Sequence, residues 1–67
     1  MINRKHFKIK KTATYRGYTI KIRKGDIFFV GEILDENLNY VAKTAFRMTA
    51  EDALDYAKQR IDTLETL

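Results

Sequence analysis

Sixty-seven residues carry 13 Lys and Arg against 9 Asp and Glu, a net charge of +4, with 45% hydrophobic positions and no Cys, Pro, Trp or Ser. A chain this short removes only about 60% of its unfolded surface from water, which supports one thin core and excludes a deep, enclosed active site. The missing cysteines exclude a disulfide framework and thiolate metal sites and point to a reducing, cytoplasmic setting.

Residues 1–67 read as a single small domain, with residues 1–7 as a flexible basic arm. The first twelve residues are basic but lack the unbroken apolar run of a signal peptide, and no stretch reaches the length of a membrane span. Charge is segregated. Residues 1–24 hold nine Lys and Arg and no acid, whereas four bases and nine acids follow from Gly25 onward. Such a dipolar chain suggests a polyanionic partner, although two halves neutralising each other would give the same pattern. Homodimerisation is a second route to stability for so small a core.

In chain order, a first strand is expected over residues 8–15, closed by an Arg16-Gly17 hairpin turn that pairs Tyr15 with Tyr18 and Ala13 with Ile20. Lys11 then falls on the core parity near the sheet edge. Tyr18, Ile20 and Ile22 alternate with Thr19, Lys21 and Arg23, the period-two pattern of a strand with one buried and one wet face. Gly25 ends it. Residues 27–34 are apolar on both parities, and Glu32 orients them. A two-residue turn, Gly25-Asp26 or Lys24-Gly25, places Ile27, Phe29, Gly31 and Ile33 with Ile20 and Ile22 and leaves Glu32 outside. A three-residue loop would bury the Glu32 carboxylate beside Tyr18 and is rejected on desolvation cost.

Residues 35–38 make the next connection, and a strand over residues 40–46 puts Tyr40, Ala42, Thr44 and Phe46 on one face. Gly31 then lies between Ile20 and Ala42, a shallow trough that lets a helix approach closely. Thr49 is placed to cap that helix, with Glu51 and Asp52 in its first turn and Met48 stapling over it. Ala53, Leu54, Ala57, Ile61 and Leu64 form the stripe that lies on the sheet, while Asp55, Lys58, Gln59 and Asp62 face water. The fold class is α+β: an antiparallel β-meander of three to four strands followed by one C-terminal helix packed on one sheet face.

The chemistry is narrowed mostly by exclusion. His6 is the only imidazole and Ser and Cys are absent, so nucleophilic triads cannot be assembled and an enzyme is not expected. Asp52 and Asp55 read as helix-dipole partners in solvent. Asp35, Asn37 and Asn39 have the spacing of the first calcium ligands of an EF-hand, but Tyr40 and Phe46 occupy the positions that need Gly and Glu, leaving a polar hairpin loop. No catalytic residue, metal ligand or cofactor is assigned.

The outer sheet face remains. In this register it carries Lys10, Thr12 and Thr14; Thr19, Lys21 and Arg23; Phe28, Val30 and Glu32; and Val41, Lys43, Ala45 and Arg47. Arg23 then stands between Lys10 and Phe28, and Val30 between Lys21 and Lys43. Cations around an exposed aromatic suit a single-stranded nucleic acid, whose bases stack while its phosphates meet the charges. The candidate contacts are Arg4, Lys5, Lys8, Lys10, Lys21, Arg23, Phe28, Lys43 and Arg47. The alternative is a small protein-interaction module, an adaptor or phage-type inhibitor that docks on an acidic protein surface or adds its edge strand to another sheet. In that case the apolar outer residues form an interface.

The order of strands then one helix, the opening Phe7-Lys8-Ile9-Lys10-Lys11, the turn near Gly17 or Gly25, and the helix entry Phe46-Arg47-Met48-Thr49-Ala50-Glu51-Asp52 resemble the PC4-like transcriptional coactivator fold. That resemblance implies single-stranded-DNA binding on a curved basic sheet and dimerisation through the C-terminal helix. This chain has Asp52-Ala53 where that family tends to place an aromatic. Tyr15-Arg16-Gly17-Tyr18 and Ala50-Glu51-Asp52-Ala53-Leu54 also look like fragments of small uncharacterised bacterial and phage proteins, a likeness that implies no activity.

Overall fold

A strand forms where the period-two alternation of Tyr18, Ile20 and Ile22 places it, and the helix where the apolar stripe does. The computed structural model describes residues 8–44 and 46–66. Strands β1 (Lys8–Tyr15), β2 (Tyr18–Lys24), β3 (Phe29–Leu34) and β4 (Tyr40–Lys43) form one antiparallel sheet in sequence order, and helix α1 (Ala50–Glu65) follows. This is the expected α+β meander with a C-terminal helix. The basic arm expected over residues 1–7 lies outside the described residues, as does Ala45. Among the described residues no helix is long and apolar enough to cross a membrane.

The β1–β2 hairpin has the expected register, Tyr15 opposite Tyr18 and Ala13 opposite Ile20. Arg16 (φ 53°) and Gly17 (φ 87°) both take left-handed backbone, the conformation a two-residue turn needs to match strand twist. Beyond Lys11, which pairs with Ile22, a bulge shifts the ladder so that Ile9, not Lys10, faces Arg23.

Two registers differ from expectation by two residues. Lys24 pairs with Phe29, so a four-residue loop over residues 25–28 replaces the expected two-residue turn, closed by the Gly25 N–H donating to the Phe28 carbonyl at 2.8 Å. Because the shift is even, parity survives: Phe29, Gly31 and Ile33 remain on the Ile20 and Ile22 face and Glu32 stays outside. Ile27, expected in the core, is 75% exposed in that loop. On the other side Ile33 faces Ala42, and a bulge brings Leu34 opposite Tyr40, which is exposed instead of core-facing. Leu38 closes the β3–β4 connection with φ 66° and its side chain exposed.

Ile20, Ile22, Ile33, Ala53, Ala57 and Ile61 are fully buried and make the core between sheet and helix, with Leu54 packed against it. The trough at Gly31 exists, but its flanks are Ile22 and Thr44 rather than Ile20 and Ala42. A Cβ there would lie 3.2 Å from Thr44 Cγ2, 3.3 Å from Ile22 Cδ1 and 3.5 Å from the Ala53 carbonyl oxygen. Strand β4 stops at Lys43, three residues short of the expected Phe46, and Thr44 completes the ladder with its side chain. Its N–H donates to the Gly31 carbonyl, and its Oγ1 accepts from the Gly31 N–H, both at 2.8 Å.

Helix α1 starts as expected, with Thr49 Oγ1 accepting from the Asp52 N–H at 3.0 Å. The expected Met48 staple is not made, since Met48 is exposed.

Thr44→Val leaves the buried Gly31 N–H without its acceptor and is expected to cost about 1–3 kcal/mol in urea unfolding. Thr44→Ser keeps the oxygen and is expected to lose clearly less; equal losses would contradict the assignment. Leu38→Gly relieves left-handed strain on an exposed side chain. It is expected to gain about 0.5–1 kcal/mol after glycine's extra unfolded-state entropy, and an unchanged or lowered midpoint would show that Leu38 earns its place through contacts.

Candidate nucleic-acid interface

Cross-strand pairing puts Thr12, Lys21, Glu32 and Lys43 in one row on the sheet face opposite the helix, and Ile9, Arg23 and Val30 in the next. The centre of the face is therefore not what the sequence suggested. Glu32, rather than Val30, stands between Lys21 and Lys43, and its Oε1 accepts from Arg23 Nε at 2.8 Å. Three cations thus surround one acid, which relieves the like-charge pairing expected across these strands. Val30, expected to be exposed here, is buried. Among the described residues Lys10, Lys11, Lys21 and Lys43 make no ion pair.

The other predicted contacts fall into separate places. Lys10 is exposed at the β1 bulge, one position away from its expected place beside Arg23. Lys8 lies in β1 opposite Lys24, and Arg4 and Lys5 lie outside the described residues. Arg47 does not join the face. It forms an isolated bridge with Phe29, and its Nε donates to Asp52 Oδ2 at 3.0 Å while its guanidinium lies 4.7 Å from the Tyr56 ring centroid. Thr44 faces Gly31 and Arg47 faces Phe29, so the ladder takes up one extra residue between these two pairs. That extra residue reverses parity and turns Arg47 toward the helix.

The same extra residue brings out an aromatic pair. Phe28, half-buried in the loop over residues 25–28, stacks on Phe46 with ring centroids 4.3 Å apart and planes inclined by 20°. Phe46 had been expected on the core parity; it keeps 65% of its surface exposed instead. Ile27 and Met48 are exposed at the same end of the sheet.

At the opposite end the β1–β2 turn grips the last turns of α1. Tyr15 Oη and Arg16 Nη1 donate to Asp62 Oδ1 at 2.9 and 2.8 Å, and Tyr18 Oη donates to Glu65 Oε2 at 2.8 Å. Asp62, expected to face water, is thus engaged. Both acids sit near the helix C-terminus, where the dipole disfavours negative charge, and these donors offset that conflict. A shallow depression of about 290 Å³ lies beside them, lined by Arg16, Gly17, Tyr18, Asp35, Glu36, Asn37 and Glu65. Asp35 Oδ1 accepts from the Asn37 and Asn39 N–H groups at 2.9 Å each, so it organises the loop as a turn residue does.

Comparison of the chain with protein-family models, with curated proteins and with solved structures returns no match.

Arg16 and then Tyr15 hold the Asp62 carboxyl below its ordinary range, while the bonds to Asp62 and Glu65 raise the Tyr15 and Tyr18 hydroxyls above theirs. A lowered carboxyl stabilises the fold above the ordinary carboxylate range, near pH 4, and that contribution disappears as pH falls through the folded-state value. Asp62→Asn is accordingly expected to lower the thermal midpoint at neutral pH, with the deficit shrinking steadily as pH is lowered below the ordinary carboxylate range. A deficit that does not change with pH would contradict the assignment. The raised tyrosines contribute at neutral pH and lose that contribution as pH climbs through their folded-state values above about 10.

Proposed function

We propose that this domain is a non-enzymatic binder of nucleic acid, single-stranded in preference, whose cations are supplied by the β1–β2 hairpin and the helix-free face. The observation that carries the reading is charge placed by topology. Residues 8–24 contain seven Lys and Arg and no acid, and they fold as one hairpin at the edge of the sheet. Helix α1, on the other face, holds five acids and two bases. A polyanion is drawn to the hairpin and repelled by the helix, which orients it across Lys10, Lys21 and Lys43.

The second reading, a protein-interaction module that meets an acidic surface, draws on the exposed Ile27, Phe46 and Met48. A pull-down that yields one stoichiometric protein and survives nuclease treatment would favour it.

Fluorescence anisotropy with a labelled oligonucleotide at two or more salt concentrations tests the first reading. Affinity is expected to fall steeply with salt. Replacing Lys10, Lys21 and Lys43 together by Gln is expected to weaken binding and to flatten the log–log salt slope by about 2, at about 0.7 per lost phosphate contact. Absence of binding at micromolar protein would overturn the reading, and an unchanged slope in the triple variant would move the site elsewhere.

A further inference from the structure

We propose that Phe46, backed by Phe28, is a base-stacking platform, so that this domain grips unpaired nucleotides by their bases as well as by their phosphates. The inference rests on the nucleic-acid reading above and adds a contact that charge alone does not supply.

The aromatic pair is rigidly mounted. Phe29 and Arg47 exchange two backbone hydrogen bonds, Phe29 N–H to the Arg47 carbonyl at 2.7 Å and Arg47 N–H to the Phe29 carbonyl at 2.8 Å. Phe28 and Phe46 each precede one partner of that bridge, so both rings hang from a fixed backbone. Gly25 provides the seat beneath Phe28: a Cβ at this position would come within 2.6 Å of the ring. The Gly25 N–H bond to the Phe28 carbonyl fixes the same loop. A ring held this way loses little freedom when a ligand arrives, the condition under which exposed aromatic surface converts into affinity.

The surroundings favour a nucleotide strand over an apolar protein face. The platform adjoins the end of β2, where Lys24 faces Phe29 and Arg23 faces Val30. Lys24 Nζ lies 5.3 Å from the Phe29 ring centroid, within reach of the loop carbonyls of Gly25 and Asp26. Asp26 is the acid of this loop, set against the acid-free hairpin that leads into it. A single strand laid along the hairpin brings phosphates to the lysines and offers a base to Phe46. A duplex keeps its bases stacked on one another and out of reach.

The test compares the affinity of the full chain, at one low salt concentration, for an oligothymidylate, an abasic sugar–phosphate strand of equal length, and a duplex. The abasic strand preserves the phosphates and removes the bases. The parent chain is expected to bind the oligothymidylate about tenfold more tightly than the abasic strand, in line with one stacked base. The duplex, with more phosphates and no free base, reports the contribution of charge alone. Phe46→Ala is expected to bind the thymidylate and abasic strands alike and the duplex as the parent does, Phe46→Tyr to keep the tenfold ratio, and Gly25→Ala, which displaces the Phe28 ring, to reduce it. Thermal melts check that each variant folds, as expected for an exposed Phe46. Equal affinity of the parent chain for thymidylate and abasic strands would overturn the platform and leave the charge-based reading intact. Failure to bind either strand would overturn both. Loss of self-association on sizing of Phe46→Ala, with an unchanged ratio, would reassign the pair to an interface between copies and overturn the proposal.

Discussion

The closeness of helix to sheet at Gly31 governs the rest of the architecture. With no side chain there, the Ala53 carbonyl comes within 3.5 Å of where a Cβ would stand. Small residues at Ala53 and Ala57 continue that approach on the helix side, and Ile20, Ile22, Ile33 and Ile61 fill the space around it. A thin core gains more from close packing than from size, because each apolar atom then has partners on every side. The Thr44 hydroxyl makes the arrangement affordable for the backbone, since it satisfies the Gly31 N–H where β4 has already departed from regular pairing. Commitment of helix α1 to one face leaves the opposite face to carry Lys21, Arg23, Glu32 and Lys43.

Electrostatics follow from that layering. The basic segment folds on itself as β1 and β2, and the acidic segment supplies the helix, so the charge asymmetry of the chain becomes an asymmetry of the fold. The two halves touch through a specific set of bonds at one end, Tyr15 and Arg16 to Asp62 and Tyr18 to Glu65. Those bonds join residues 46 and 47 positions apart, and they place acids at a helix end where the dipole alone would disfavour them. Elsewhere, among the described residues, Lys10, Lys11 and Lys21 make no ion pair, whereas Arg23 pairs with Glu32 and Lys24 lies over the Phe29 ring.

The faces of the strands were legible because a side chain's face depends only on whether its position is odd or even, and both misjudged registers shifted by two. Glu32 fixed the orientation of β3 through the cost of burying a carboxylate, an argument indifferent to loop length. The Arg16-Gly17 turn and the Thr49 cap were legible as local chemistry. The content of the outer face was not, because neighbours across strands depend on the register itself: a shift of two exchanged Val30 for Glu32 between the lysines. The odd insertion between Thr44 and Arg47 was hidden as well. It turned Arg47 to the helix and Phe46 outward, and no residue in that stretch announces a bulge. A signal did exist in the two aromatics Phe28 and Phe46, each next to a residue that pairs, but reading it required knowing that Phe29 and Arg47 meet.

The central claim is that the helix-free side, from the β1–β2 hairpin to the Phe28–Phe46 pair, is where a polyanionic strand lies. Backbone amide chemical-shift mapping during titration with a short oligothymidylate tests it most directly. The account predicts perturbations along residues 10–24, at Phe28, Lys43 and Phe46, with the buried helix positions Ala53, Ala57 and Ile61 unmoved. Shifts concentrated on α1, or none at saturating strand, would contradict it.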